Sequence, residues 1–437
     1  MSATFDVVIV GGGPGGATAA WHLAALGRRV LVVDKAVFPR EKVCGDGLTP
    51  RAVKCLLEMG IDTAGPEWAR ANGLRIIGAG TTLELPWPEI STHPGYGLVR
   101  TRFDFDSLLL DAARKVGAVV WEGTNVTGPV TDDTGVVTGI TYEREIGERT
   151  IGEREVGGRK PRAEREVERG TVEANVVIAC DGASSRFGMA LGGRRLEHRP
   201  MGVAARTYYR SPRSADDYFE SYLELWRGDD LLPGYGWIFP LPDGTVNVGL
   251  GLLNTSPHFR SVDYRRLLED WVANLPPEWE MTRENRVGGI KSGPLPMGFN
   301  RAPVAKPGLL LAGDAAGIVN PFNGEGIAYA METGHMAAEI AHETVALGDP
   351  RHLRAYPDRL KDAYEGYYIL GRAFVRLIGH AKVMGALTRY GLPNERLMRV
   401  AFRLLANLTE PRDGDAADKI INAMVRAAPK LNMVVRA

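Results

Sequence analysis

The chain has only three cysteines, Cys44, Cys55 and Cys180, in 437 residues. Their spacing supplies neither a disulfide framework nor a metal-ligand set, so a reducing compartment is expected and a bound metal is not. An excess of one charge is also lacking, because 53 Lys and Arg stand against 53 Asp and Glu. A balanced chain raises no global field for nucleic acid, which is therefore not an expected partner. No stretch reaches the roughly 18 uninterrupted apolar residues that a membrane-spanning helix needs. The apolar segment Phe5 to Val10 is preceded by no basic leader, which predicts no secretory signal and a cytoplasmic protein. At this length a large core is affordable, divided over two or three joined regions.

What is present begins with a βαβ pattern. Asp6 to Val10 and Val30 to Val33 read as strands, with a glycine turn and a helix over Ala17 to Leu26 between them. The turn is Gly11-Gly12-Gly13-Pro14-Gly15-Gly16, a G-x-G-x-x-G placed after a strand and before a helix. Gly11 allows the tight turn, Gly13 lets a pyrophosphate approach the backbone, and Gly16 lets the helix pack closely. Pro14 and Gly15 complete the helix N-terminus, whose amides face an anion. Asp34 closes the second strand about 20 residues on, where a carboxylate accepts hydrogen bonds from an adenosine ribose. A dinucleotide is the expected ligand.

Helices are predicted over Pro50 to Met59 and Phe103 to Val116, and short strands at Leu74 to Ile77, Thr82 to Leu85 and Ala118 to Trp121. Between the strand-like Gly135 to Tyr142 and Thr171 to Ile178, the 143–170 stretch alternates Glu and Arg with almost no large apolar residue. It reads as a solvated hairpin extension with no assigned role. From Val203 to Leu253 the pattern becomes β-rich, with a Pro242-Asp243-Gly244 turn between two strand runs. Beyond Gly326 the chain is predicted helical, interrupted at Pro357, Pro393 and Pro411.

FAD and NAD share the first half-site, and a distal segment separates them. Leu309 to Ala312 delivers Gly313-Asp314-Ala315-Ala316, and Asn320-Pro321-Phe322-Asn323-Gly324-Glu325-Gly326-Ile327 then opens a helix. This pair resembles the second FAD motif of the p-hydroxybenzoate-hydroxylase-like flavoproteins. The resemblance implies FAD as cofactor, Asp314 on its ribityl chain, and the amides of Gly326 and Ile327 at the pyrimidine edge of the flavin. Arg100, before Phe103-Asp104, and Cys180-Asp181-Gly182 match further landmarks of that group. Arg100 is expected to donate to the cofactor, with a surface ion pair as the other reading, and Asp181 to hold a turn.

Arg40-Glu41-Lys42-Val43-Cys44-Gly45-Asp46-Gly47 and Pro233-Gly234-Tyr235-Gly236-Trp237-Ile238-Phe239-Pro240 together resemble the geranylgeranyl reductase family, including actinobacterial menaquinone reductases. The likeness runs from the first strand to about Gly334. It implies a fold of α/β class with α+β elements: a Rossmann-type FAD-binding domain, an antiparallel substrate sheet and a C-terminal helical region. The corresponding boundaries are 1–72, 98–190 and 285–345 for the FAD-binding domain, 73–97 and 191–284 for the substrate domain, and 346–437 for the helices.

By the same resemblance Cys44, Gly45 and Gly47 lie at the cofactor. Cys44 is either a catalytic thiol or a small packing residue. Tyr235, Trp237 and Phe239 share one strand face, which is either sheet core or the wall of a substrate pocket. The implied activity is FAD-dependent saturation of isolated C=C bonds in a long isoprenoid lipid or quinone. The electron donor is left open between NADPH and a ferredoxin-like partner, since only one G-x-G-x-x-G opens a strand-to-helix turn. The proton donor is unassigned. Two alternatives are a flavin monooxygenase or halogenase on the same scaffold and a lipid-binding carrier with a structural flavin. Gly371 to Leu408 mixes large apolar residues with Arg and Lys, a composition shared by core helices and by helices on the inner face of a cell membrane.

Overall fold

In the strands Thr4–Val10 and Val30–Val33, the runs Val7 to Val10 and Val30 to Val33 are continuously apolar and buried, as parallel strands covered on both faces must be. The computed structural model describes residues 4–151 and 162–436. Five strands run parallel in the order Leu309–Leu311, Arg162–Ala179, Thr4–Val10, Val30–Val33 and Val119–Trp121. Helix Pro14–Ala25 packs against helices Arg102–Lys115 and Ile327–Leu347. The Gly11 turn, Asp34, Cys180 and the Gly313-Asp314 pair therefore all sit beyond the carboxyl ends of neighbouring strands, where ligands bind in such sheets.

The balanced Glu/Arg stretch enters the same sheet. Val137–Ile151 and Arg162–Ala179 form one long antiparallel hairpin, and its charges alternate in register, with Arg144 opposite Glu168 and Glu143 opposite Arg169. The Arg144 to Glu168 ion pair closes to 2.6 Å. Such exposed pairs contribute only about 0.2–1 kcal/mol each, so this arm is aligned by its charges without needing an apolar core. The central part of the stretch, 152–161, lies outside the described residues.

A second sheet has seven strands in the order Arg286–Pro296, Met201–Arg210, Thr245–Leu253, Gly234–Pro240, Phe219–Tyr222, Gly73–Gly78 and Thr81–Pro86. Its edge strand, Arg286–Pro296, falls in a stretch the sequence reading gave to the FAD-binding domain. Gly288, Gly289 and Pro294 hide the strand pattern, and an edge position tolerates them. A small sheet of Gly47–Leu48, Gly97–Val99 and Ala69–Ala71 joins the Cys44 loop to the start of helix Arg102–Lys115.

The C-terminal region is helical, with Pro393 and Pro411 between helices. Pro357 does not interrupt the chain as expected: it is the third residue of helix Ala355–Ile378, in the first turn, where its missing N–H would have had no helical partner. Among the described residues, no helix is long and apolar enough to cross a membrane.

Candidate functional site

The glycine turn is built on close backbone contacts. Gly11 has φ +103°, and a Cβ on Gly16 would lie 1.9 Å from the Gly11 carbonyl oxygen. Helix Pro14–Ala25 starts at Gly13 with no side-chain cap, so its first amides are available to an anion. Asp34 is fixed beside them: one carboxylate oxygen accepts from the Gly12 amide and the other from the Ala36 amide, both at 2.8 Å. Each oxygen keeps further acceptor capacity for a ribose hydroxyl.

Two guanidinium groups close over the turn. A Cβ on Gly13 would meet Arg40 at 3.4 Å and Arg102 at 4.0 Å. Arg102 forms a bidentate pair with Asp106, at 2.6 and 2.7 Å, and Arg40 reaches the same carboxylate at 3.2 Å. Two cations on one fully buried anion leave a net positive charge beside Gly13, matched to a pyrophosphate. Sequence reading missed Arg102, Arg40 and Asp106 in this role. The Arg102 to Asp106 spacing of one helical turn was the available signal.

Arg100, the residue expected there, uses its guanidinium elsewhere. It pairs with Asp104 at 3.1 Å and Glu67 at 3.6 Å and lies over the Trp68 ring. Removing one charge-assisted partner costs about 1.5–3 kcal/mol, so Arg102→Ala is expected to weaken FAD binding ten- to a hundredfold. Arg100→Ala should leave it within about twofold, since its partners are exposed carboxylates. Titration of each apoprotein with FAD distinguishes the two arginines.

The distal motif meets the first one through helix packing. A Cβ on Gly334 would lie 2.2 Å from the Gly15 carbonyl, so the two motif helices cross with their backbones nearly touching. Asp314 lies 3.5 Å from the place a Gly326 Cβ would occupy, which joins both halves of the distal motif. Burial raises the Asp314 pKa, opposed by the fields of Lys42, Arg102 and Arg301. Helix Ile327–Leu347 begins at Gly326 without a side-chain cap, leaving its N-terminal amides open.

The Cys44 loop is bolted to the antiparallel sheet by a buried polar network. Asp46, fully buried with φ +65°, accepts from Tyr208 Oη at 2.7 Å, Asn247 Nδ2 at 2.7 Å and the Arg102 amide at 3.0 Å. Asn247 also donates to the Cys44 carbonyl at 2.9 Å and accepts from Trp237 Nε1 at 2.9 Å. Gly45 and Gly47 are pressed onto the aromatic strand, where a Cβ on either would come within 3.0 to 3.1 Å of Phe239. Burial pushes the Cys44 thiol upward, against the opposing field of Arg102, so it stays protonated rather than becoming a reactive thiolate.

Along Gly234–Pro240, Tyr235, Trp237 and Phe239 form one stripe with ring centroids 6.1 and 6.3 Å apart. Trp237 is buried against Gly249, whereas Tyr235 and Phe239 are half-buried. Tyr235 donates to the Asn323 carbonyl at 2.6 Å and so ties the stripe to the distal motif. Every element named in the two cofactor motifs thus converges on one region. The open cradle at Gly13, its two arginines, the Asp34 carboxylate and the pair of uncapped helix N-termini form a set of polar groups that fits FAD.

Comparison with known proteins agrees. The profile of an FAD binding domain family matches residues 4–219. The chain is 35% identical to a menaquinone reductase of Mycolicibacterium smegmatis over 95% of this chain and 94% of that protein. It is 29% identical to a digeranylgeranylglycerophospholipid reductase of Thermoplasma volcanium over 83% of this chain and 84% of that one. A solved structure of a geranylgeranyl bacteriochlorophyll reductase-like protein from Thermoplasma acidophilum superposes with a TM-score of 0.75, at 24% identity over 96% of this chain and 99% of that chain. The ordered motifs, the shared fold and the near full-length likeness to these reductases place the chain in the geranylgeranyl reductase family of FAD-dependent oxidoreductases.

Proposed function

We propose that this protein saturates isolated C=C bonds in the prenyl chain of a menaquinone or a geranylgeranyl lipid. The observation that carries the reading is the Tyr235, Trp237 and Phe239 stripe, an apolar wall set against the Cys44 to Gly47 loop and hydrogen-bonded to the distal cofactor motif. When bound and reduced, FAD supplies the electron pair and one hydrogen to such a bond.

The chain's own residues do the remaining work. Arg40, Arg102 and the Gly13 helix terminus hold the anionic part of the cofactor, and Asp34 orients its ribose. Tyr235 and Phe239 lie along the alkene, while buried Trp237 braces the wall behind them. An unactivated alkene has no carbonyl to polarise, so orientation and exclusion of water carry much of the rate enhancement. The test is anaerobic incubation of dithionite-reduced holoenzyme with menaquinone or a geranylgeranyl phospholipid, followed by mass analysis of the extract. A product two mass units heavier per saturated bond is expected; unchanged lipid in every case would remove the reading.

A lipid substrate resides in the bilayer, and one face of the C-terminal helices suits contact with it, on the cytoplasmic side. Leu377, Leu387, Tyr390 and Leu397 are all large, apolar or amphipathic and strongly exposed, with Tyr390 at 73%. Arg376, Lys382, Arg389 and Arg396 lie in the same segment and make no ion pair among the described residues. Each basic residue at an anionic surface adds about 1 kcal/mol. Flotation with anionic liposomes at low salt is expected, together with its loss in a Lys382→Glu, Arg389→Glu double variant; equal flotation of both proteins would count against this face.

A further inference from the structure

Each saturated bond takes up one hydride and one proton, and the source of the proton follows from which acids at the site still have one to give. Tyr208 donates its hydroxyl hydrogen bond to Asp46, and Tyr235 donates its own to the Asn323 carbonyl. Asp46 already accepts from Tyr208, Asn247 and the Arg102 amide, so neither of its oxygens is without a partner. Cys44 is half-buried, and desolvation makes its thiol a weaker acid. Glu325, inside the distal motif, differs from all of these. Its Oε1 accepts a short hydrogen bond from the Thr49 hydroxyl, while its Oε2 is shielded from solvent and has no partner.

We infer that Glu325 is the general acid that delivers the second hydrogen to the prenyl double bond, from Oε2. This rests on the reductase reading above. Thr49 fixes Oε1 as the accepting, carbonyl-like oxygen, so the acid proton resides on Oε2. Thr49 follows the Cys44 to Gly47 loop by two residues and holds the Glu325 carboxyl, while Tyr235 donates to the Asn323 carbonyl two residues before Glu325, so the carboxyl is tied to both the loop and the aromatic wall. The balance is complete: the π bond is consumed, one carbon takes the hydride furnished by the reduced cofactor, and the other takes the proton. Glu325 is left as a carboxylate, and solvent reprotonates it after product leaves.

The surroundings suit that cycle. Burial is the main influence on Glu325 and lifts its pKa to about 7; the Thr49 hydrogen bond and the Arg51 field oppose the rise, and Glu332 adds to it. Arg51 is itself held by Glu332 at 2.7 Å and lies over the Tyr329 ring, so its pull on Glu325 is shared. Tyr329 and Tyr235 face the same carboxyl and stay neutral, because burial raises both far above their ordinary range. An acid poised near neutrality donates most effectively at the working pH.

The proposal is tested on FAD-loaded protein by two independent readouts. In difference infrared spectra, wild type should show a protonated carboxyl band that titrates away near pH 7 and is missing in Glu325→Gln. In single-turnover lipid reduction, the wild-type rate should fall as pH rises through about 7, and Glu325→Gln should be slower by about 10²–10⁴-fold with that fall abolished, while its bound flavin is still reduced normally. If wild type saturates lipid but Glu325→Gln matches it in rate and pH profile, the assignment of Glu325 is wrong and the reductase reading stands. If wild type saturates no prenyl lipid, the reductase reading itself fails. A carboxyl band that is already ionised at pH 6 would overturn the proposal without any variant.

Discussion

Replacing Gly16 by alanine is expected to abolish FAD binding at micromolar cofactor and to lower stability. The new methyl would sit 1.9 Å from the Gly11 carbonyl oxygen, and the obstructing atom is backbone, so it cannot swing aside as a side chain would. Relief requires the glycine turn to move off the helix N-terminus, which separates the amides from the phosphate they bind. Overpacking of this kind costs about 1–3 kcal/mol in stability, and the displaced turn adds a loss of affinity of about a hundredfold or more. Gly27 is the matched control. It has a positive φ, +76°, and no atom lies within 4 Å of where its Cβ would be. Gly27→Asn should therefore bind FAD as wild type does, asparagine being tolerated in the left-handed region. Fluorescence titration with FAD and urea unfolding of the three proteins check both statements.

The second large effect is expected at Asp106. Its carboxylate, wholly buried, is the shared counter-ion of Arg102 and Arg40. Asp106→Ala leaves two guanidinium groups facing each other without compensation, and breaking a buried pair in this way costs about 3–5 kcal/mol. A pyrophosphate at Gly13 would restore a negative charge next to both cations. The loss measured by urea unfolding should therefore be clearly smaller with saturating FAD than without it, beyond the stabilisation FAD gives wild type through mass action. Asp106→Asn keeps the shape and should show the same dependence with a smaller total loss. Equal losses with and without FAD in both variants would mean that the arginine pair does not face the cofactor.

The cofactor site was legible in the sequence to the extent that it is local. Gly11 to Gly16, Asp34, Asp314 and the Gly324 to Ile327 turn are each fixed by their position after a strand or before a helix, and short-range pattern is enough to find them. The arginines were not legible. Arg100 and Arg102 are two residues apart at a helix start, and only the approach of the Arg40 loop and the burial of Asp106 decide which one turns inward. The same holds for Glu325: its place in the motif is plain in the sequence, but its partnerless oxygen depends on Thr49, far away along the chain.

Elements defined by their partners are less legible from local pattern alone. Arg286–Pro296 carries three glycines and two prolines, which weaken its strand pattern, yet pairing with Met201–Arg210 makes it a strand. The Glu/Arg repeat reads by composition as a solvated hairpin extension, and its two described arms do pair with each other. Its alternation becomes a register device once both arms are opposite each other.

The most direct measurement is anaerobic mixing of chemically reduced, FAD-loaded protein with menaquinone in detergent, following the flavin absorbance while sampling the lipid by mass spectrometry. The expected result is flavin reoxidation without oxygen, matched mole for mole by a lipid two mass units heavier. Reduced flavin that persists beside unchanged menaquinone and geranylgeranyl lipid, and reoxidises only when oxygen is admitted, would contradict a prenyl reductase.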